Sequence, residues 1–244
     1  MRLNKSQKKW LLYAVIAIAM AISGKFAAKN APSFQPMYRE RTVTGTLVNA
    51  PDGFELPQYA GLPATELNGG VPYSGFPNAT KCYEDYPELD SLGRCGSTSA
   101  LLGPETLPTE ERGRIGSIKP SGWHTVKYND LIDGNYLYNR CHLIAFSLSG
   151  ENANERNLVT GTRYMNVEGM LPYEMQVLDH IKETGDKVFY KASPIFINDE
   201  LVPRGVLLEA MPLDQSFSVC VFLHNVQPGI EIDYATGESQ RADP

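Results

Sequence analysis

The sequence predicts an α+β fold with an antiparallel sheet at its core. Strand-like segments come first, one helical segment follows, and three further strand candidates occupy residues 187–197, 201–209 and 217–225. Asn198-Asp199 is a natural turn between the first two of these strands. The chain has 244 residues, 42% of them hydrophobic and 20% charged. This composition excludes a disordered, collagenous or coiled-coil protein, and the length is sufficient for a substantial core.

The first 29 residues have the pattern of an export signal. An uncharged stretch of 15 residues, 10–24, follows four cations at Arg2, Lys5, Lys8 and Lys9. A spanning helix needs about 20 residues, but no clear small-residue cleavage site follows the apolar stretch. A signal peptide and a signal anchor therefore both remain open. Either one places the protein outside the cytoplasm, secreted or anchored to the outer face of the cytoplasmic membrane.

Residues 30–54 are predicted to be a linker, because they contain Pro and Gly and lack sustained apolar periodicity. Within them, residues 42–48 alternate weakly and could form an isolated strand. Residues 55–244 are predicted to form one domain, which begins with loops and short strands up to about residue 110.

Two segments within this domain have sequence signals for a turn and for a helix. Asp133-Gly134-Asn135 predicts a hairpin turn. Residues 162–184 are predicted to be helical with a break near 169–171, after which Pro172 can start the second half. Gly185 is predicted to end the helix.

Formal charge argues against binding of nucleic acid through bulk positive charge. The whole chain carries −6 from 22 cations and 28 acids. Six of those cations and none of the acids lie in residues 1–29. The remainder therefore contains 16 cations and 28 acids, a formal charge of −12. Any grip on a polyanion must therefore be local.

Four cysteines need an explanation in an exported chain. Cys82 and Cys95 lie 13 residues apart in a turn-rich stretch, where a local disulfide is possible. Cys141 and Cys220 lie in apolar strand-like segments and could pair or remain buried thiols. No C-x-x-C spacing is present, which argues against a structural zinc site.

The residues able to carry chemistry concentrate between 139 and 174. His142 follows Arg140 by two residues, so both side chains would share one face of a strand. A lone strand histidine is more often structural than catalytic. Here a polar run, a second apolar strand and a helix carrying Asn166 follow it. The order is strand, loop, strand, helix, with a histidine on the first strand and an amide on the helix.

This segment resembles the DNA/RNA non-specific endonucleases of the ββα-metal (His-Me finger) type, particularly the exported nucleases of Gram-positive bacteria. Asn139-Arg140-Cys141-His142 stands where that family has Asp-Arg-Gly-His, and residues 157–166 match its second strand and metal-bearing helix. Tyr173-Glu174 matches the aromatic-Glu pair that follows, and residues 225–229 and 232–237 resemble the closing segment. The resemblance covers about residues 55–238 and implies a ββα-metal motif inserted into the antiparallel fold.

The resemblance implies roles that are chemically reasonable. His142 would be the general base, since a neutral imidazole is available near neutral pH. Asn166 would bind Mg²⁺, with Mn²⁺ as a possible substitute, through its side-chain oxygen. Glu174 would hold the water shell of the metal, although a solvated helix-face acid is the alternative. The departures from the family pattern are Asn139 and Cys141.

Substrate contacts are assigned to three residues. Arg140, placed in the catalytic set, and Arg163 are phosphate-binding candidates because a guanidinium fork matches phosphate oxygens. A structural ion pair is the alternative for Arg140 and a surface position for Arg163. Asn157 is grouped with them, either positioning the histidine or its loop or forming a strand-end turn. The aromatic-basic run 123–128 is either a half-buried strand or a stacking surface for bases.

The sequence thus favours an extracellular or membrane-anchored Mg²⁺-dependent endonuclease that hydrolyses phosphodiester bonds of DNA and RNA with little sequence preference. The alternative is a catalytically weak surface protein that binds nucleic acid for DNA uptake. A carbohydrate hydrolase would need paired carboxylates across a cleft, and no convincing pair is found.

Overall fold

An antiparallel sheet forms the centre of the molecule in the computed structural model, which describes residues 45–67 and 78–242. Its strands are β1 Leu47–Val48, β2 Ala64–Glu66, β3 Tyr83–Asp85, β4 Thr98–Leu102, β7 Val188–Ile197, β8 Gly205–Pro212 and β9 Val219–His224. Within the described residues, the strand order is β2-β9-β8-β7-β4-β3, and β1 pairs with β7. This sheet and its few helices confirm the predicted α+β class.

Two smaller strand pairs lie beside the central sheet. The first pairs β5 Tyr138–His142 with β6 Leu158–Thr162, in a register that places Cys141 opposite Val159. The second pairs β10 Ile230–Ile232 with β11 Ser239–Arg241. The helices are α1 Phe146–Ser149, a π-helical segment Met165–Met170, α2 Leu171–Thr184, and short 3₁₀ turns at Pro104–Thr106 and Glu155–Asn157.

The three later strands are present as predicted, β7 and β9 within two residues of their predicted ends and β8 shifted by three to four residues toward the C-terminus. Asn198 takes a positive φ of 50° in the turn between β7 and β8, a conformation that Asn tolerates better than most residues. The predicted linker 30–54 needs correction at its end, because β1 pairs there with β7 through Leu47 and Ile197. The folded region therefore begins before Glu55.

The predicted helix break is replaced by a change of helix type. The π-helical segment Met165–Met170 runs directly into α2, and Pro172 lies in the first turn of α2. A proline inside an α-helix removes one hydrogen bond and clashes with the carbonyl four residues earlier. A wider π turn relieves that conflict without ending the helix. Gly185 ends α2 at φ 72°, as predicted.

The main core lies between the central sheet and the β5–β6–helix unit. Val177, Leu178 and Ile181 of α2 belong to one buried cluster with Tyr190 and Leu208 of the sheet. Their spacing along α2 forms one apolar face, which explains why the helix lies against the sheet. The unit that carries the predicted chemistry is thereby attached to a rigid support.

The stretch before β5 is less regular than predicted. Asp133-Gly134-Asn135 does form a turn, with φ of 78° at Gly134 and 72° at Asn135. The flanking residues form only an isolated bridge between Lys127 and Tyr136 rather than a hairpin of two strands. The run 123–128 is likewise mostly irregular.

All four cysteines are free thiols. The Cys82 thiol lies 3.4 Å from a Glu105 carboxylate oxygen, whereas the Cys95 thiol donates to backbone carbonyls, including that of Leu158 at 3.2 Å. The predicted disulfide between Cys82 and Cys95 is not formed in the structure, because the two thiols have separate partners. Cys141 is fully buried and Cys220 half-buried.

The predicted export signal, residues 1–29, lies outside the described residues. Among the helices that the structure describes, none combines the length and the apolar character needed to cross a membrane.

Candidate active site

The β5–β6 pair and the following helix bring the predicted catalytic residues onto one unit. His142 is the last residue of β5, and Asn166 lies at the second position of the π-helical segment. Glu174 follows in the first turn of α2. The predicted order of strand, loop, strand and helix is therefore present in the structure.

The contacts of the His142 ring define which nitrogen carries the proton. Nε2 lies 2.8 Å from the carbonyl oxygen of Asn152, which can only accept a hydrogen bond. Nδ1 lies 3.4 Å from a guanidinium nitrogen of Arg112, which can only donate. Both contacts require the tautomer with hydrogen on Nε2. Nδ1 is therefore the nitrogen with a free electron pair, able to accept a proton.

Burial keeps this imidazole neutral. His142 is only 6% exposed, and loss of hydration lowers its pKa below the ordinary value. The Asn152 carbonyl opposes this shift, and the positive charge of Arg112 adds to it. A histidine with a lowered pKa remains unprotonated, and so able to act as a base, in mildly acidic solution.

Asn157 holds the chain directly after His142. Its side chain donates to the Ile144 carbonyl at 3.0 Å and accepts from the Ile144 amide at 2.8 Å. Its own carbonyl accepts the Leu143 amide at 2.9 Å. Because Asn157 is fully buried, it cannot touch a polymer substrate, so its grouping with the substrate-binding residues is corrected. Its hydrogen bonds position the segment after His142, in agreement with the predicted positioning role of Asn157.

Arg112 is a site residue that sequence reasoning missed. It lies in an exposed irregular segment, contacts His142 Nδ1, and acts electrostatically on Glu174, whose pKa it lowers. One guanidinium therefore contacts His142 and also acts electrostatically on Glu174. Its surroundings in sequence, two glutamates before it and Gly113 after it, form no recognisable pattern.

Arg140 is held in place by backbone carbonyls and by an aromatic ring. Its side chain donates to the backbone carbonyls of Ile118 and Gly116, the latter at 2.9 Å, and its guanidinium lies 3.9 Å from the ring centroid of Trp123. These contacts fix the segment that follows Arg112. Among the residues that the structure describes, Arg140 thus bonds to backbone carbonyls and to no carboxylate, and so positions this loop, while its contact with phosphate stays a prediction.

Arg163 remains accessible at the start of the helix. Its guanidinium lies 3.3 Å from Asp133, and its side chain is 34% exposed while that of Asp133 is 99% exposed. An exposed ion pair of this kind is weak and can be exchanged for another anion. Arg163 therefore stays available to a phosphate group.

The π-helical segment aligns Asn166 with Glu174. In an ideal α-helix eight residues turn about 80° beyond two full turns. A π turn absorbs one extra residue, so the eight-residue spacing acts like seven, which ends within about 20° of two turns. The change of helix type thus places both side chains on nearly the same face.

These residues form a donor set suited to a hard cation. Asn166 is half-exposed and offers an amide oxygen, and Glu174 offers a carboxylate. Burial raises the pKa of Glu174 to about 7, against the opposing effect of Arg112. A carboxylate in such a position gains from a nearby cation, and oxygen ligands are those that Mg²⁺ prefers. The residues therefore fit a magnesium ion.

Asn152 presents a further polar atom near the histidine. Its side-chain oxygen is buried and has no hydrogen-bond partner in the part of the chain that the structure describes. An unsatisfied buried acceptor is costly, so a water molecule or a substrate hydroxyl at this position would be stabilised. The sequence showed a polar run before β6, but it did not indicate that Asn152 is the residue of this run that contacts His142.

The closing segment holds the start of the helix. The Asn225 side chain accepts the Thr162 amide at 2.8 Å and donates to the Thr160 carbonyl at 3.0 Å. Gln227 accepts the Tyr164 amide at 3.2 Å through its side chain. The segment thereby satisfies backbone groups at the end of β6 and in the first helical turn. The closing segment, although distant in sequence, thereby supports the start of the helix that carries Asn166.

Cys141 fits at its unusual position because its neighbour has no side chain. A Cβ atom built on Gly161 would lie 2.4 Å from the Cys141 sulfur and 2.6 Å from the Met165 methyl group. The larger residue before His142 is thus accommodated by the glycine on β6. The thiol is fully buried, and burial raises its pKa.

A nearby pocket is acidic and unsuited to phosphate. Glu84, Glu105, Glu110 and Glu151 contribute to its lining. Electrostatic repulsion would keep a polyanion out of this pocket. Arg112, which is exposed, and Arg163, which is partly exposed, do not line this pocket and are therefore better placed to receive one.

A ββα unit with a histidine on its first strand and an asparagine on its helix is the arrangement of the His-Me finger nucleases. A family model described as DNA/RNA non-specific endonuclease matches residues 77–211. The chain therefore belongs to the DNA/RNA non-specific endonuclease family, as its sequence predicted.

Relatives from streptococci support the same family. The chain is 36% identical over 116 residues to a deoxyribonuclease of Streptococcus dysgalactiae subsp. equisimilis, a match that covers 46% of this chain and 34% of that protein. The chain thus spans about a third of the length of this curated relative.

Solved structures agree with the fold. NucA from Streptococcus agalactiae with a bound magnesium ion superposes with a TM-score of 0.67 at 26% identity, covering 75% of this chain and 90% of that one. The Sda1 nuclease with a bound zinc ion gives a TM-score of 0.55 at 29% identity, covering 64% and 80%.

Proposed function

We propose that the protein is a metal-dependent endonuclease that hydrolyses phosphodiester bonds in DNA and RNA with little sequence preference, outside the cytoplasm. One observation carries the proposal most strongly. A buried neutral histidine with its acceptor nitrogen free of a proton lies beside an exposed arginine that also acts on Glu174. The cationic and then apolar first 29 residues support export, with secretion and anchoring both open.

His142 would take the proton of the attacking water at Nδ1. The Asn152 carbonyl would hold the imidazole through Nε2 and stabilise the imidazolium once the proton has moved. Asn157 would keep the strand end in place, so that the ring has one orientation.

Arg112 would exchange its contact with the histidine for one with the scissile phosphate. The present distance of 3.4 Å is long for a hydrogen bond, and the residue is exposed. A guanidinium that moves to phosphate releases Nδ1 and brings positive charge to the group where negative charge develops.

Asn166 and Glu174 would hold a magnesium ion, Asn166 through its amide oxygen and Glu174 by accepting hydrogen bonds from water around the ion. When bound, such an ion supplies charge neutralisation at the phosphate and the departing oxygen. Mn²⁺ prefers similar oxygen ligands and would serve as a substitute.

The proposal is tested with supercoiled plasmid DNA and with a structured RNA. Purified full-length protein with Mg²⁺ is expected to convert the plasmid to nicked, linear and then short products and to degrade the RNA. A closed circle has no ends, so its cleavage identifies an endonuclease. EDTA should stop both reactions and added Mg²⁺ or Mn²⁺ should restore them. Binding of DNA without cleavage would instead support the nucleic-acid-binding alternative.

Replacement of Arg112 should change both the rate and its pH dependence. We expect Arg112→Ala to lower the plasmid cleavage rate at neutral pH by about 100-fold, as for other lost charge-stabilising donors. Activity requires an unprotonated His142 and falls as pH drops through the pKa of that residue. Because Arg112 lowers this pKa, its removal should move the acidic limb of the rate profile to higher pH.

The exposed Arg114, two residues further on, is the matched control. Arg114→Ala should leave the position of the acidic limb unchanged. If both variants gave the same profile as the unmodified protein, Arg112 would have no place in the mechanism.

A further inference from the structure

We propose that His180, Asp186 and Asp214 form a second cation site, separate from the nuclease centre, with a preference for zinc. The three residues come from the last part of α2, from the turn after it and from the loop between β8 and β9. None of them belongs to the proposed catalytic machinery.

The geometry is that of a three-ligand set. One ligand atom from each of the three residues lies within 4.8 Å of the others. The His180 Nε2 atom is 3.9 Å from an Asp186 carboxylate oxygen. The distance between His180 and Asp186 is too long for a hydrogen bond. The three ligand atoms are close enough to surround one ion after a small contraction.

The histidine nitrogen is the observation that points to a ligand. The His180 side chain is 11% exposed, and its Nε2 is buried with no hydrogen-bond partner in the residues the structure describes. The ring is held edge-on against Phe217 at 5.3 Å between centroids. A buried ring nitrogen without a partner is costly, and a metal ion directed at it would remove that cost.

The two carboxylates are fixed by backbone contacts. The Asp214 amide donates to an Asp186 carboxylate oxygen at 3.0 Å, and the Ser216 amide donates to Asp214 at 2.9 Å. The hydroxyl and the amide of Ser216 hold the pKa of Asp214 below its usual value. Such hydrogen bonds orient carboxylates before an ion arrives.

One imidazole nitrogen and two carboxylate oxygens favour zinc over magnesium or calcium. Mg²⁺ and Ca²⁺ take oxygen ligands, whereas Zn²⁺ accepts nitrogen at about 2.0–2.1 Å and oxygen at about 2.0–2.2 Å. Three protein ligands leave a fourth position for water. A bound ion would tie the end of α2 to the β8–β9 loop, and so stabilise the helix that also carries Glu174.

The test measures zinc binding where the nuclease centre cannot contribute. Full-length protein carrying Asn166→Ala and Glu174→Gln is dialysed against ZnCl₂, and bound metal is counted. We expect about one zinc ion per chain and, at zinc concentrations near 100 times Kd, a rise in Tm of about 5 °C or more. Adding His180→Gln or Asp214→Asn to this background should abolish both effects.

Asp179→Asn, at the exposed residue next to His180, is the matched control and should bind zinc normally. Mg²⁺-dependent cleavage by His180→Gln and Asp214→Asn in the otherwise unmodified chain shows that these variants fold. A background protein that binds no zinc, or zinc binding that survives both ligand substitutions, would overturn the proposal. Neither result bears on the proposed nuclease activity, which the plasmid assay tests independently.

Discussion

Replacing His142 by alanine is expected to reduce the rate of plasmid cleavage by about 10²- to 10⁴-fold, the usual contribution of a general base. The variant loses the imidazole whose Nδ1 atom faces Arg112 and has a free electron pair. The Mg²⁺ concentration that gives half of the maximal rate should stay the same, because the imidazole is not a ligand in the proposed site. Rates measured over a Mg²⁺ titration check both statements.

Two further measurements separate a base from a structural residue. Imidazole added to the solution should restore part of the activity of His142→Ala, because alanine leaves space beside the Asn152 carbonyl. His124→Ala, which removes a histidine bonded to the Thr236 carbonyl elsewhere, should retain the original rate. A His142→Ala enzyme with unreduced activity would eliminate the proposed mechanism.

The sequence allowed the ββα unit to be predicted because its signals are local. The apolar runs of β5 and β6, the polar loop between them and the helix with Asn166 follow one another along the chain. The strand order of the central sheet did not follow from such signals. β4 pairs with β7 across almost a hundred residues, and no turn chemistry connects those two segments.

The contacts that could not be predicted from the sequence are those between residues far apart along the chain. Arg112 contacts His142, which lies 30 residues later in the sequence. No pattern in the segment around Arg112 indicates this contact. Arg140 was expected to bind phosphate because an arginine beside a histidine suits that role. In the structure it also bonds to the carbonyls of residues 116 and 118, contacts that depend on the path of an irregular loop.

The net negative charge of the domain is compatible with binding of an anionic polymer if the binding contacts are local. The sequence beyond residue 29 is acidic, and part of that charge lines one pocket, which includes Glu84, Glu105, Glu110 and Glu151. Arg112 and Arg114 are exposed, and Arg163, at the start of the helix of the ββα unit, is partly exposed. Binding would therefore depend on few phosphate contacts and on the metal ion, and a shallow dependence of affinity on salt is expected from so few contacts.

Replacing Asn166 by alanine is expected to lower cleavage by about 100-fold or more at a fixed low Mg²⁺ concentration, because a metal ion contributes several kcal/mol to stabilising the transition state. In contrast to His142→Ala, this variant should need a higher Mg²⁺ concentration for half of its maximal rate. Its stability should change little, since the residue is half-exposed and alanine favours helices. Thermal unfolding checks the stability and a Mg²⁺ titration checks the shift.

The comparison of substitutions distinguishes a ligand from a helix-surface residue. Asn166→Asp keeps an oxygen ligand and should recover much of the metal affinity, whereas Gln176→Ala, at an exposed position of α2, should match the original enzyme. An unchanged Mg²⁺ requirement in Asn166→Ala would remove Asn166 from the metal site. The π turn would then have no role in aligning Asn166 with Glu174, because that alignment matters only if both side chains serve one ion.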